Sequence, residues 1–119
     1  MSQRFRIRNK TRDCDLATAA WRAGFLMRGI GLMGRRTLPQ GEALILPNCR
    51  SITMFFMRFP LDVVFLDSSG KICGELRGIR PWRVSGLVSK SRMAIELPAG
   101  TLEATGTELG DQIEVQSAG

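Results

Sequence analysis

The chain has 119 residues, of which 44% are apolar and 24% charged, with a net charge of +6 and neither histidine nor tyrosine. That length suits one domain (1–119) and is short for two, and a mean hydropathy near zero opposes wholesale disorder. The missing histidine excludes Ser-His-Asp and Cys-His triads and histidine zinc sites built from this chain alone.

Taken in order, Arg4 to Lys10 alternates basic and apolar residues, which predicts a short strand with Phe5 and Ile7 on one face and the arginines guarding a sheet edge. No apolar segment of the signal-peptide kind follows, and no stretch approaches the roughly 18 to 20 apolar residues of a spanning helix. A cytoplasmic location without a transmembrane segment is expected. Asp13 or Asp15 then caps a predicted helix from Leu16, whose apolar face is Ala17, Ala20, Trp21, Gly24 and Phe25. Gly31 to Arg36 reads as a glycine-flanked turn with two basic tips, Arg35 and Arg36. It lacks the lysine and spacing of a phosphate loop.

Leu38 to Gly41 is a predicted turn, Ala43 to Leu46 a strand, and Thr53 to Met57 a second strand-like run. Val63 to Leu66 is continuously apolar and is expected to cross the core. Asp67-Ser68-Ser69-Gly70 turns the chain into Lys71 to Leu76, the return strand of a hairpin. Ile79 to Val88, with Pro81 and Trp82, reads as an irregular loop. Met93 to Leu97 is a strand ended by Pro98-Ala99-Gly100, a short helix runs from Thr101 toward Thr105, and Gln112 to Val115 is the last strand. The pattern predicts a mainly β fold with short helices, a small compact barrel-like sheet of mostly antiparallel strands. Cys14, Cys49 and Cys73 have no C-x-x-C spacing and read as thiols in a reducing compartment.

Charge is uneven. Residues 1 to 60 hold 11 basic and 3 acidic side chains, and residues 61 to 119 hold 6 and 8. A basic face built from Arg4, Arg6, Arg8, Arg35 and Arg36 would meet nucleic acid. Asp62 lies between Pro60 and an apolar strand, so its carboxylate needs either an arginine such as Arg58 or the backbone amides of a turn. Glu96 stands between Ile95 and Leu97. If Asp62 and Glu96 converged, they would form the acid/base or metal pair of an enzyme. Trp82 beside Arg80 and Arg83 suits stacking or peptide contact.

Several motifs share an order and spacing with a known group: Gly31-Leu32-Met33-Gly34-Arg35 with Leu38-Pro39, Phe55-Phe56-Met57-Arg58, Pro60-Leu61-Asp62-Val63-Val64-Phe65-Leu66-Asp67, Glu96-Leu97-Pro98-Ala99-Gly100 and Gly110-Asp111. From about residue 15 to 115 the chain resembles the DUF192 (UPF0127) family of uncharacterised bacterial and archaeal proteins. It departs from the family pattern at Phe56, where tryptophan is common, and at Ile52, where relatives carry histidine. The resemblance implies a compact β-barrel-like fold with small helices and assigns no activity. The expected function is a non-enzymatic binding or accessory module for a peptide, protein or small anionic ligand, with Arg35, Met57, Arg58, Asp62 and Trp82 at its site. The alternatives are a nucleic-acid binder and a carboxylate-based or metal-dependent enzyme using Asp62 and Glu96. No cofactor and no resident metal are expected.

Overall fold

All six residues of Leu61–Leu66 are buried, so this apolar run lies in a strand covered on both faces. The computed structural model describes residues 3–22, 38–52, 54 and 58–118. The elements are β1 (Arg4–Asn9), β2 (Cys14–Arg22), β3 (Glu42–Pro47), β4 (Leu61–Leu66), β5 (Ile72–Ile79), β6 (Met93–Pro98), α1 (Thr101–Thr105) and β7 (Ile113–Ser117). The strands form one sheet in the order β5-β4-β6-β3-β2-β1-β7. Every pairing in it is antiparallel except that of β2 with β3.

The two outer strands meet at their beginnings. Lys71 and Gln112 form an antiparallel bridge, the Ile72 amide donates to Asp111 (3.0 Å), and the Ile113 amide donates to Gly70 (2.9 Å). The sheet therefore curls into the barrel-like form that the sequence implied. Gly70 has φ 86°, and a side chain there would put a carbon 2.8 Å from the Ile113 carbonyl oxygen, so this junction requires glycine. Asp67 shapes the same turn by accepting the Ser69 and Lys71 amides at 2.9 and 3.0 Å.

Alternation along the strands separates two apolar layers. One gathers Ile7, Ala20, Ile45, Val64, Ile95 and Leu97 with Leu102 of the helix. The other gathers Leu44, Leu46, Val63, Phe65 and Ala94 beneath Ile52 and Met54.

Two expectations change. The helix predicted from Leu16 is instead β2, and its helical spacing has a definite origin. Ala17 lies opposite Ile7 and Ala20 opposite Phe5, while Arg8 faces Asp15, so β2 bulges twice against β1. The bulges bury residues three apart, which imitates one face of a helix. Gly24 and Phe25 lie outside the described residues. Second, β1 is not an edge strand, because β7 pairs along it from Phe5 to Asn9. Of the strand-like run Thr53 to Met57, only Met54 is described; Thr53, Phe55, Phe56 and Met57 lie outside the described residues. No described helix is long and apolar enough to cross a membrane. None of the three cysteines is in a disulfide.

Candidate functional site

Two segments outside the named strands zip together over the second apolar layer. The Trp82 amide donates to Met54 and the Met54 amide to Arg83, while Ser85 donates to Ile52 and Val88 to Arg50, all at 2.8 Å. The Ser85 hydroxyl also accepts the Ile52 amide at 2.8 Å. Ile52 and Met54 point inward, and Val88 packs onto Gly74, where an added β-carbon would come within 3.1 Å of it. Pinned at these points, the 80–88 arm presents its other apolar side chains outward. Trp82 is 58% exposed, Val84 58% and Leu87 73%.

Trp82 is held in an unusual backbone state. The Arg83 amide donates to Arg80 at 3.3 Å, closing a turn with Pro81 and Trp82 at its centre, and Trp82 has φ 68°. Pro81 suits the first central position, but positive φ at the second favours glycine over a bulky residue. The left-handed conformation costs an L-residue roughly 1 to 2 kcal/mol.

The cations divide by neighbourhood. Near the amino terminus, Arg6 grips Asp15 at 2.6 Å, Arg8 reaches Asp15 at 3.1 Å and also Asp13, and Lys10 lies 3.5 Å from Glu114. Arg12 contacts Asp111 at 2.9 Å and Glu108 at 3.1 Å. The hydrogen bond from Arg6 is the main cause that holds Asp15 below the usual carboxylate range. Arg4 alone of the predicted strand arginines forms no ion pair with a described residue. By contrast, Arg50, Arg58, Arg80, Arg83, Lys90 and Arg92 are all exposed, and among the described residues none pairs with a carboxylate. All six lie on the two zipped segments and their continuations.

Asp62 is buried, and backbone amides rather than an arginine satisfy it. Its Oδ1 accepts the Gly78 amide at 2.8 Å, and its Oδ2 accepts those of Gly100 (3.1 Å) and Leu102 (2.9 Å). The first turn of α1 has no side-chain cap of its own, so Asp62 supplies the acceptor from the neighbouring strand. Arg58 stays exposed.

Glu96 is also buried, with 7% of its surface exposed, but its carboxyl has no hydrogen-bond partner among the described residues. It pairs across the sheet with Leu44 and Val63, whereas Asp62 pairs with Leu97. Adjacent register positions face opposite sides, so the two carboxylates do not share a pocket. Burial pushes the Glu96 carboxyl up to about 7. Among the described residues, no three of His, Cys, Asp and Glu gather as a metal site.

A further polar cluster joins the chain's two ends. Buried Asn9 donates to Thr107 and to Asp111, both at 3.0 Å, and Arg12 closes over Asp111. With almost the whole chain between the partners, no local pattern announces it. The cationic arm did leave a trace, since residues 76 to 95 hold five basic and no acidic side chains. Of the predicted site residues, Arg58 and Trp82 lie on the arm side of the molecule, and Asp62 is buried beneath α1. Arg35, Arg36, Met57 and the Gly31 to Arg35 turn lie outside the described residues.

The fold and this surface define a small, single-sheet, barrel-like β protein with a basic, tryptophan-bearing arm. The chain belongs to the DUF192 family, described as "Uncharacterized ACR", whose model matches residues 6–115. A UPF0127 protein of Thermococcus sibiricus is 36% identical over 94 residues, covering 76% of this chain and 60% of the relative. The match to a Pyrococcus horikoshii UPF0127 protein is 35% over 95 residues, with 76% and 80% covered. The chain thus spans less than two thirds of the Thermococcus protein and about four fifths of the Pyrococcus one. Among solved structures, a Novosphingobium aromaticivorans protein of unknown function has TM-score 0.79 at 18% identity, covering 93% of this chain and 83% of its own. A Sinorhizobium meliloti protein, provisionally described as a transcription regulator, has TM-score 0.79 at 25% identity, covering 97% and 94%.

Proposed function

We propose that this protein is a non-enzymatic binding module that holds an acidic segment of a partner protein on the arm formed by residues 80–92 with residues 50–52, 54 and 58. One observation carries the reading: six of the nine described cations without a described carboxylate partner and three of the exposed large apolar side chains lie on the same arm, while the other three, Arg4, Arg22 and Lys71, lie apart from it. Lone arginines supply attraction and orientation for carboxylates. Trp82, Val84 and Leu87 supply apolar contact, and tryptophan and arginine are the residue types that most often dominate binding energy at interfaces. The strained φ of Trp82 fits a ring kept outward for use.

A second reading is recognition of nucleic acid by the same cations with Trp82 stacking on a base. It draws support from the provisional description of the Sinorhizobium relative. Aliphatic Val84 and Leu87 suit a protein partner better than a phosphate backbone. The predicted nucleic-acid contacts Arg6 and Arg8 are already engaged with Asp13 and Asp15.

The test is fluorescence anisotropy with a labelled peptide of alternating glutamate, leucine and phenylalanine, run beside single- and double-stranded DNA across a salt series. Peptide binding that falls at least about tenfold, or about 1.4 kcal/mol, in both Trp82→Ala and an Arg80→Gln, Arg83→Gln double variant supports the module. DNA binding with a steep salt dependence that survives Val84→Ser and Leu87→Ser favours the second reading. Binding of either probe that only Arg4→Ala, Arg6→Ala and Arg8→Ala diminish sinks both placements.

A further inference from the structure

The arm leaves the buried carboxyl of Glu96 unexplained. A buried carboxyl normally finds hydrogen bonds, as Asp62 and Asp111 do here. Glu96 makes none. No fully covered side-chain oxygen among the described residues lacks a partner. The small accessible remainder of Glu96 must therefore include its unpartnered carboxyl, which lies recessed but reachable.

Register fixes its surroundings. Trp21, Leu44, Glu96, Val63 and Leu76 occupy one row across β2, β3, β6, β4 and β5. Paired positions share a face, so these side chains lie on one side of the sheet. Leu44 and Val63 are buried, and Trp21 is half-buried. Trp21 stands two strands from Glu96, about 10 Å away. On the strands flanking Glu96, β4 brings only Leu61, Val63 and Phe65 to this face. On β3, Glu42 shares the face two residues before Leu44, and on β6 itself the neighbours are Ala94 and Pro98. Ile52 and Met54 above carry no charge. Arg58 and Arg80 are exposed near the Leu61 end. The described groups around Glu96 thus supply no cation.

We propose that Glu96 anchors a second binding site, for an apolar primary amine whose ammonium meets the carboxylate and whose hydrocarbon body runs along Leu44 toward Trp21. An ammonium donates three hydrogen bonds and neutralises the recessed charge. Apolar walls exclude the water that would weaken the pair, and the Trp21 ring adds an apolar, cation-tolerant flank. A neutral or anionic ligand of the same shape gains neither charge nor donors from Glu96. Ile52 and Met54 of the arm roof this face, but the groups that would hold the amine, Glu96, Leu44 and Trp21, are none of the arm's exposed side chains.

The test uses Trp82→Phe protein, in which Trp21 is the only tryptophan, titrated with n-hexylamine, 1-hexanol and hexanoate while Trp21 emission and the unfolding midpoint are followed. Hexylamine is expected to shift the emission and raise the midpoint at pH about 8.5, and to bind roughly thirtyfold more weakly at pH about 5.5, where the carboxyl is largely protonated. Glu96→Gln should lose at least about tenfold of that affinity and its pH dependence, while Glu96→Asp retains part of both. Circular dichroism establishes that each variant is folded. Equal binding of hexylamine to folded Glu96→Gln, equal binding of hexanol and hexylamine, or no hexylamine binding at either pH would overturn the assignment. Because the reporter protein lacks Trp82, failure of the arm as a docking surface leaves this result unaffected.

Discussion

Asp62 and Glu96 stand on adjacent strands one register position apart and point to opposite sides of the sheet. On one side, three backbone amides converge on Asp62. On the other, Glu96 is embedded among Leu44 and Val63 with no donor among the described residues. One carboxylate is a fixed structural acceptor, and the other carries an unmet electrostatic demand. Neither can complete the other's chemistry.

The difference predicts opposite mutational behaviour. Burial lifts Glu96 to about 7 from its usual 4.5. Below about pH 4.5 the carboxyl is protonated in both folded and unfolded chains, and its contribution to stability is fully present. As pH rises through about 7, the unfolded chain ionises freely while the folded chain must bury a charge. Stability therefore falls by about 3 kcal/mol across that window. Glu96→Gln should remove this fall and be the more stable protein at pH about 8. Urea unfolding of both proteins from about pH 5 to 8 measures it; parallel curves would reject the account.

Replacing Asp62 should be harmful throughout the neutral range. Asp62→Ala leaves the Gly78, Gly100 and Leu102 amides without their acceptor; the Leu102 amide is buried and stranding such a donor costs about 1 to 3 kcal/mol, while the part-buried Gly78 and Gly100 amides lose less because water can reach them. A net loss of roughly 2 to 4 kcal/mol is expected, with Asp62→Asn in between, since its amide nitrogen cannot accept a bond. Hydrogen exchange should locate the loosening at Gly78 and the start of α1. Unchanged protection at Leu102 would contradict the capping role.

Much of the sheet was legible because most strands carried their own local signal. Val63 to Leu66 announced a doubly covered strand, Asp67 to Gly70 announced a hairpin turn, and Pro98 to Gly100 announced the break before α1. The error at β2 arose where two bulges converted strand alternation into a three-residue spacing, a tertiary effect invisible to a periodicity reading. Site chemistry was less legible, since charge count cannot show pairing. Arg6 and Arg8 read as available cations until Asp13, in the intervening turn, and Asp15, on the next strand, closed on them. The parity that separates Asp62 from Glu96 is set by a pairing between residues more than thirty positions apart. Their opposite facing could not be read from either segment.

Asn9, Thr107, Arg12 and Asp111 tie the first hairpin to the turn before β7. Burial pushes Asp111 upward, but the hydrogen bonds from Arg12, Asn9 and the Glu108 amide outweigh it and hold its pKa below the usual value. Its stabilising contribution is present above the unfolded carboxyl's pKa and is lost as pH falls through the lower folded value. Asp111→Asn should therefore be less stable than the parent at neutral pH and lose less of its stability on acidification. Acid titration followed by circular dichroism checks this, and an identical loss in both proteins would remove Asp111 from the acid response.

Trp82 gives the prediction that separates folding from function. Its φ of 68° favours glycine, because glycine adopts the left-handed region without a β-carbon penalty. If the ring served the fold, Trp82→Gly would destabilise through lost packing. Yet the side chain is mostly exposed, so relief of backbone strain should offset the greater flexibility of the unfolded glycine chain. The expected result is a protein of equal or greater stability, by up to about 1 kcal/mol, with weakened binding of the acidic apolar peptide. Trp82→Ala keeps most of the strain and should weaken binding without that gain. A marked fall in the unfolding midpoint of Trp82→Gly would mean that the ring holds the arm together, and the outward Trp82 would then be a structural residue rather than a contact kept for a partner.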